Sequence, residues 1–410
     1  MNPFDPSHPI PPGQFVGREQ EIEELKAALA HAKRGRPRHF LITGDRGAGK
    51  TSFLDYLRTN ATSRAQKFNF IVVDFAVDQN STRLDLARTI QDKVNELLAI
   101  HSPIRDLLGK TWAFIQRFEA AGISYNPSEP SPENHREIIR SLADSLRKVV
   151  SAVCVDVSTG EPNLGYDGVL LLIDEVDQSS DDLDIGTFLK LLLERLNSVG
   201  CKQVVVGLAG LHSTRQVLIK SHPSSLRVFD ELPLGDLKSE DIEGLLAHAE
   251  LQVRNEGYDR FSFSPESIGQ ILEFSGGHAH FVHQFGYCAF EKACRSSGDD
   301  FRVEATHVVS GAFEPRGALE LIGDMYFQTS YERIVDKNEM LSILDRACES
   351  PSVHFSIEAI SAESRLDIQT TRSALNELTE LSILIVDKAS GLYRIRHRCF
   401  AYWLKQRRPS

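Results

Sequence analysis

Short apolar runs alternate along the chain with stretches in which apolar residues recur every three or four positions. Ile22, Leu25 and Leu29 share one helical face, and Gly35 and Pro37 then break that pattern. Four runs, at 40–43, 70–75, 169–173 and 204–208, are continuous and apolar, as expected of strands covered on both faces. Helical patterns lie between them: Phe53, Leu54 and Leu57, then Ile138, Leu142 and Leu146, then the Leu-rich stretch 188–199. This alternation predicts an α/β domain built on a parallel sheet with helices on both faces. The stretch about 101–132, with Trp112, Phe114 and Phe118 ahead of Pro127, Pro130 and Pro132, reads as an insertion.

From about Ser239 helical patterns dominate, at 242–249, 265–274 and 278–294, and predict a small helical domain. Beyond about Asp336, three helical stretches at 340–347, 357–361 and 368–381 precede LIVDKASGLYRIRH, two short strands about an Ala389-Ser390-Gly391 turn. Three helices followed by a hairpin is the winged-helix pattern. The expected division is therefore a core over 1–235, a helical lid over 236–334 and a winged helix over 335–410. No repeat of 20–50 residues runs through the chain.

Composition narrows the setting without naming a function. The 410 residues suggest two or three domains, and a hydrophobic share of 41% with 25% charged residues is ordinary for a globular chain. No apolar run approaches the roughly 20 residues needed to span a bilayer. The N-terminal MNPFDPSHPIPPG lacks the basic start and apolar stretch of a secretory signal, so a cytoplasmic protein is expected. The six cysteines, Cys154, Cys201, Cys288, Cys294, Cys348 and Cys399, form no C-x-x-C pair and read as reduced core residues. A net charge of −11 repels nucleic acid, so any DNA contact has to come from a local basic surface.

The chemistry is carried by two segments. LITGDRGAGKTSFL places Gly44, four residues, then Gly49, Lys50 and Thr51 between a predicted strand and a predicted helix. Gly44, Gly47 and Gly49 let the backbone of Asp45, Arg46 and Ala48 bend, so that N–H groups up to Ser52 and the helix N-terminus face phosphates. Lys50 brings positive charge to the β- and γ-phosphates, and the Thr51 hydroxyl is a magnesium ligand. In VLLLIDEVD an apolar strand delivers Asp174 to hold Mg2+ through water and Glu175 to polarise the attacking water. Asp177 suits a helix-capping role.

FVGREQEIEEL resembles the entry motif of AAA+ ATPases of the origin-recognition type and of the related STAND signalling ATPases. The resemblance extends through the phosphate loop, the Asp174-Glu175 strand, the lid and the winged helix, and the closing HRCFAYWLKQRR is similar to STAND-type chains. It implies an ATP/ADP site in which Phe15, Val16, Gly17 and Arg18 contact the base. It also implies a polar sensor after the fourth strand, where this chain has Gly207, Leu208, Ala209 and Gly210 and then His212, Ser213 or Thr214. In SGGHAHFVHQF, His280 stands near the place of a lid arginine and is a candidate phosphate contact. Arg227, ahead of the expected fifth strand, matches an arginine that reaches a neighbouring subunit's nucleotide, with Arg215 its rival. The trio His278, His280 and His283 does not fall on one helical face and has no nearby acid, which argues against a metal site.

The function implied is a slowly hydrolysing ATPase acting as a nucleotide-dependent oligomeric switch. It self-associates in ATP and controls an unidentified effector or target protein, with defence signalling one setting. The alternative is a DNA-binding replication or transposition-type initiator using its winged helix. Arg394, Arg396 and Arg398, with Lys405, Arg407 and Arg408, form a basic edge that could hold DNA through the wing or meet the acidic surface of the ATPase domain and lock a resting state. A small-molecule kinase lacks an identifiable substrate pocket and cationic lid. No membrane contact is expected.

Overall fold

A computed structural model describes residues 2–98, 132–154, 164–296, 302–387 and 389–408. The expected insertion at 101–132 lies outside the described residues, apart from Pro132, which begins a helix. The chain divides into two compact units, Pro11–Gly235 and, together, Met1–Ile10 with Asp236–Ser410.

The first unit begins with α1 (Glu19–Lys33), β1 (His39–Gly44), α2 (Lys50–Ala61), β2 (Phe70–Ala76) and α3 (Arg83–Leu98). It continues through α4 (Pro132–Val153), β3 (Gly168–Asp174), α5 (Ile185–Ser198), β4 (Val204–Gly210), α6 (Thr214–Ser221) and β5 (Phe229–Leu234). Every strand pair is parallel and the order is β2-β3-β4-β1-β5. All four apolar runs are strands, and their alternation separates two cores. Leu41, Val73, Leu171 and Val206 face a cluster with Ile90, Leu146 and Phe188. Phe40, Val72, Leu172 and Val205 face one with Leu25, Leu29, Phe53 and Leu57. Because β1 connects to β2 across the positions of β4 and β3, the chain opens a crevice beyond the carboxyl ends of β1, β3 and β4.

The second unit contains α7 (Ser239–Asn255), α8 (Pro265–Ser275), α9 (Ala279–Ser296), α10 (Ala305–Phe313) and α11 (Ala318–Ile322). A π-helical turn, Gly323–Phe327, leads into α12 (Gln328–Glu332). A two-stranded parallel ladder, β6 (Ser262–Phe263) with β7 (Arg302–Val303), stands where only helices were expected. Strands of two residues are too short to show alternation. The Gly-Gly turn before α9 has φ of +58° at Gly276 and +89° at Gly277, and Leu237 N donates to Gly277 O at 2.7 Å. The C-terminal part has the expected order: α13 (Asn338–Ala347), α14 (Ile357–Ser364), α15 (Ile368–Glu380), then antiparallel β8 (Leu384–Val386) and β9 (Tyr393–Ile395). It ends in α16 (Arg398–Arg407), which buries Phe400, Trp403 and Leu404. Although expected with the core, the first ten residues group with this unit, where Phe4 is buried against Phe263 and His283.

Among the described residues no helix is long and apolar enough to cross a membrane. Cys154, Cys201, Cys348 and Cys399 are buried, as expected of core thiols. Cys288 is half-buried, and Cys294 departs from that reading because it is exposed on α9.

Candidate nucleotide site

The loop between β1 and α2 is shaped by its glycines in two ways. Gly47 and Gly49 have φ of +77° and +90°, conformations a side chain resists. Gly44 serves instead by close approach, since a Cβ there would lie 2.8 Å from Leu234 O. A Cβ on Gly49 would meet nothing within 4 Å, so its outer side is open at the helix N-terminus. Lys50 Nζ lies across this concavity and donates to the carbonyls of Gly44 at 3.1 Å and Asp45 at 2.8 Å. Burial lowers the Lys50 pKa, opposed by the nearby carboxylates of Asp174, Asp177, Asp45 and Glu175. A half-buried ammonium bonded to two loop carbonyls suits the charge of a polyphosphate.

The acidic strand end meets the loop directly. Thr51 Oγ1 donates to Asp174 Oδ2 at 2.9 Å, joining residues 123 positions apart in sequence. Asp174 Oδ1 accepts from the Glu175 backbone N–H at 2.8 Å, and Glu175 is exposed with φ +56° and ψ +33°. A hydroxyl beside a carboxylate at the mouth of a phosphate-type loop is the donor set expected for a hydrated magnesium ion. The residues present therefore fit the group expected for them.

A family model described as an AAA ATPase domain matches residues 14–206, which contain the loop and the acidic strand end. Over those residues the chain is similar to AAA ATPase domains. No curated protein matches its sequence. Over its length the chain is similar in fold to the Aeropyrum pernix ORC2 protein solved as ADPNP-ADP complexes. That likeness has 15% identity and a TM-score of 0.58, covering 99% of this chain and 96% of that one. The ADP form of the same protein gives 13% identity, a TM-score of 0.50 and coverage of 99% and 96%. Cdc6p from Pyrobaculum aerophilum gives 14% identity and a TM-score of 0.48, with coverage of 99% and 96%. At these identities the likeness is one of fold.

The remaining candidates sit at different places. Phe15 stacks on Phe53 at 5.6 Å and tilts against Tyr56 at 5.0 Å, both on α2, while Val16 and Gly17 are half-buried in the same segment. Arg18 is buried, with φ +62°, and its guanidinium donates to Gly235 O at 2.6 Å and Ala48 O at 3.3 Å. It fastens the phosphate loop to the end of β5, an arrangement invisible in sequence because its partners lie 30 and 217 positions away.

After β4, Thr214 is buried and turned toward Gly210, whereas His212 is exposed with Nε2 3.5 Å from Asp45 Oδ1. Of the three sensor candidates, His212 is the one brought to the phosphate loop. Asp177 does not cap a helix: its Oδ1 accepts from Leu211 N at 2.8 Å. Arg227 is exposed in a short 3-10 helix, Ser225–Val228, while its rival Arg215 is paired with Glu231 at 2.5 Å. His280 belongs to the second unit, where Nε2 lies 3.1 Å from Pro6 O and the ring faces Tyr326. Neither His280 nor its neighbours form a metal cluster among the described residues.

Proposed function

We propose that this chain binds ATP with Mg2+, hydrolyses it slowly, and uses the cycle as a nucleotide-dependent oligomeric switch controlling a partner protein. The observation that carries the reading is the Thr51–Asp174 hydrogen bond, which sets a magnesium-type donor pair beside Lys50. Backbone N–H groups from Asp45 to Ser52 would receive the phosphates, and Lys50 would exchange its carbonyl partners for β- and γ-phosphate oxygens. Thr51 and, through water, Asp174 would hold the metal ion, whose charge would offset that of the phosphates. Glu175 would accept a proton from the water whose oxygen attacks the γ-phosphorus as the bond to the β–γ bridging oxygen breaks. The segment Phe15 to Arg18 would border the adenine.

Three elements would turn this chemistry into a switch: a lid over 236–334 carrying His280, a winged helix over 335–410, and self-association in ATP that brings Arg227 to a neighbour's phosphates. Defence signalling in the cytoplasm is one setting for such a device. A DNA-binding replication or transposition-type initiator is the second reading, favoured by the likeness of fold to an origin-recognition protein. Against it, Arg398, Arg407 and Arg408 are already paired with Glu273, Asp324 and Asp345.

The hydrolytic reading predicts magnesium-dependent phosphate release that falls at least about 100-fold in both Lys50→Ala and Glu175→Gln. Only Lys50→Ala should lose ATP binding, measured by calorimetry. Unchanged turnover in both purified variants would exclude this site as the hydrolytic centre.

A further inference from the structure

Pairing between β3 and β4 stops at Ile173 and Leu208, one residue short of Asp174 and two short of Glu175. Beyond that point, the Asp177 side chain joins the two chain segments. Its Oδ1 accepts from Leu211 N at 2.8 Å, and its Oδ2 accepts from Gln178 Nε2 at 3.0 Å. The fit is close: a Cβ on Gly210 would lie 2.6 Å from Asp177 Oδ1 and 2.2 Å from Thr214 Oγ1. Glu175 therefore stands between two fixed points, the last sheet pair behind it and the Asp177 anchor ahead of it. Its own backbone is left-handed, a conformation that costs a non-glycine residue energy and relaxes unless its surroundings hold it. The same anchor fixes Leu211, the residue before His212, which lies beside Asp45 of the phosphate loop.

Resting on the hydrolytic reading above, the geometry points to Asp177 as the positioning residue for Glu175 and for the β4–α6 turn. It acts as a hydrogen-bond acceptor and touches no reacting atom. A displacement of about 1 Å at a catalytic group can cost about 100-fold in rate. Asp177→Ala should therefore lower kcat at least about 10-fold while the ATP dissociation constant moves less than about threefold.

Asp177 is also one of the carboxylates near Lys50, so the alanine variant alone would confuse position with charge. Asp177→Asn separates them: it keeps an acceptor for Leu211 N, removes the charge, and should restore kcat to within about threefold of wild type. Amide hydrogen exchange at Leu211 should quicken in the alanine variant and stay slow in the asparagine variant. An asparagine variant as slow as the alanine one would overturn the positioning role in favour of charge. So would an alanine variant with wild-type kcat, or one whose kcat falls only in step with lost ATP binding. A wild-type chain that binds ATP without turnover would sink the hydrolytic reading itself, and this proposal with it.

Discussion

His283 is buried and His39 and His397 are half-buried, and desolvation pushes their pKa values down: His39 to about 4, His283 to about 4 and His397 to about 3. For His397 the neighbouring Arg396 and Arg394 act in the same direction. At His39 the geometry agrees, because Nδ1 accepts from Val206 N at 3.1 Å and must be unprotonated to do so. The unfolded chain binds protons at these sites from about pH 6.5 downward while the folded chain does not. Their contribution to stability is thus complete above about pH 6.5 and is lost as pH falls toward 4. For His39 this amounts to at most about 3 kcal/mol. Thermal unfolding at about pH 7.5 and pH 5 should show the loss, and His39→Asn, which keeps an acceptor for Val206 without titrating, should lessen it by the His39 share. An equal acid dependence in that variant would refute the assignment. The contrast with the phosphate loop is instructive. Gly47, Gly49, Lys50 and Thr51 were legible because neighbouring residues in sequence make the site. The partner of His39 is 167 positions away, and that of Asp177 is 34 away, so no local pattern could announce either.

The same distinction holds among whole elements. β1 to β4 were readable since each is a continuous apolar run buried on both sheet faces, and α15 since its apolar residues repeat at helical spacing. The N-terminal arm was not, because its prolines and polar residues carry no period. Yet Phe4 is buried against Phe263 and His283, Asn2 Nδ2 donates to Tyr287 O and Glu291 Oε1, and α9 makes room for the ring at Gly286. A Cβ on Gly286 would lie 2.7 Å from the Phe4 ring. Phe4→Ala removes a fully buried aromatic and should destabilise the unit containing 236–410 by about 3 kcal/mol. Gly286→Ala should act in the same direction by displacing the ring. Urea unfolding, read by protease sensitivity of α9 in the full-length chain, would check both. Stability unchanged by either substitution would mean that the arm is dispensable. At the other end of this unit, Gly323 opens the π-helical turn because Trp403 fills the space of its Cβ, a constraint likewise set from 80 residues away.

At the scale of the whole molecule the open question is what the basic C-terminal edge touches, since a net charge of −11 works against any phosphate contact. The sequence places six basic residues there, and the structure pairs at least three of them with carboxylates. Arg398 pairs with Glu273 at 3.2 Å, Arg407 with Asp324 at 3.1 Å over the face of Trp403, and Arg408 with Asp345 at 2.9 Å. Arg394 turns its guanidinium onto the carbonyls of Ile395 and Arg396. These are partly exposed pairs worth little stability each, so duplex DNA could in principle compete for them. Doing so, however, would strand Glu273, Asp324 and Asp345 beside the phosphates. Helix α15 adds Glu377 and Glu380 against a single Arg372, a poor balance for lying along a duplex. Binding through this edge should therefore release few counterions. If Arg394, Arg396 and Lys405 supply the phosphate contacts, the logarithm of affinity should fall against the logarithm of salt with a slope no steeper than about −3. It should show little sequence preference. A switch in which this edge serves a protein contact predicts just such weak retention, and Arg394→Glu with Arg396→Glu should then change ATP turnover rather than DNA affinity. A slope of about −6 or steeper, with tight binding near physiological salt that the same reversal abolishes, would show that the internal pairs open onto DNA and would decide for the initiator.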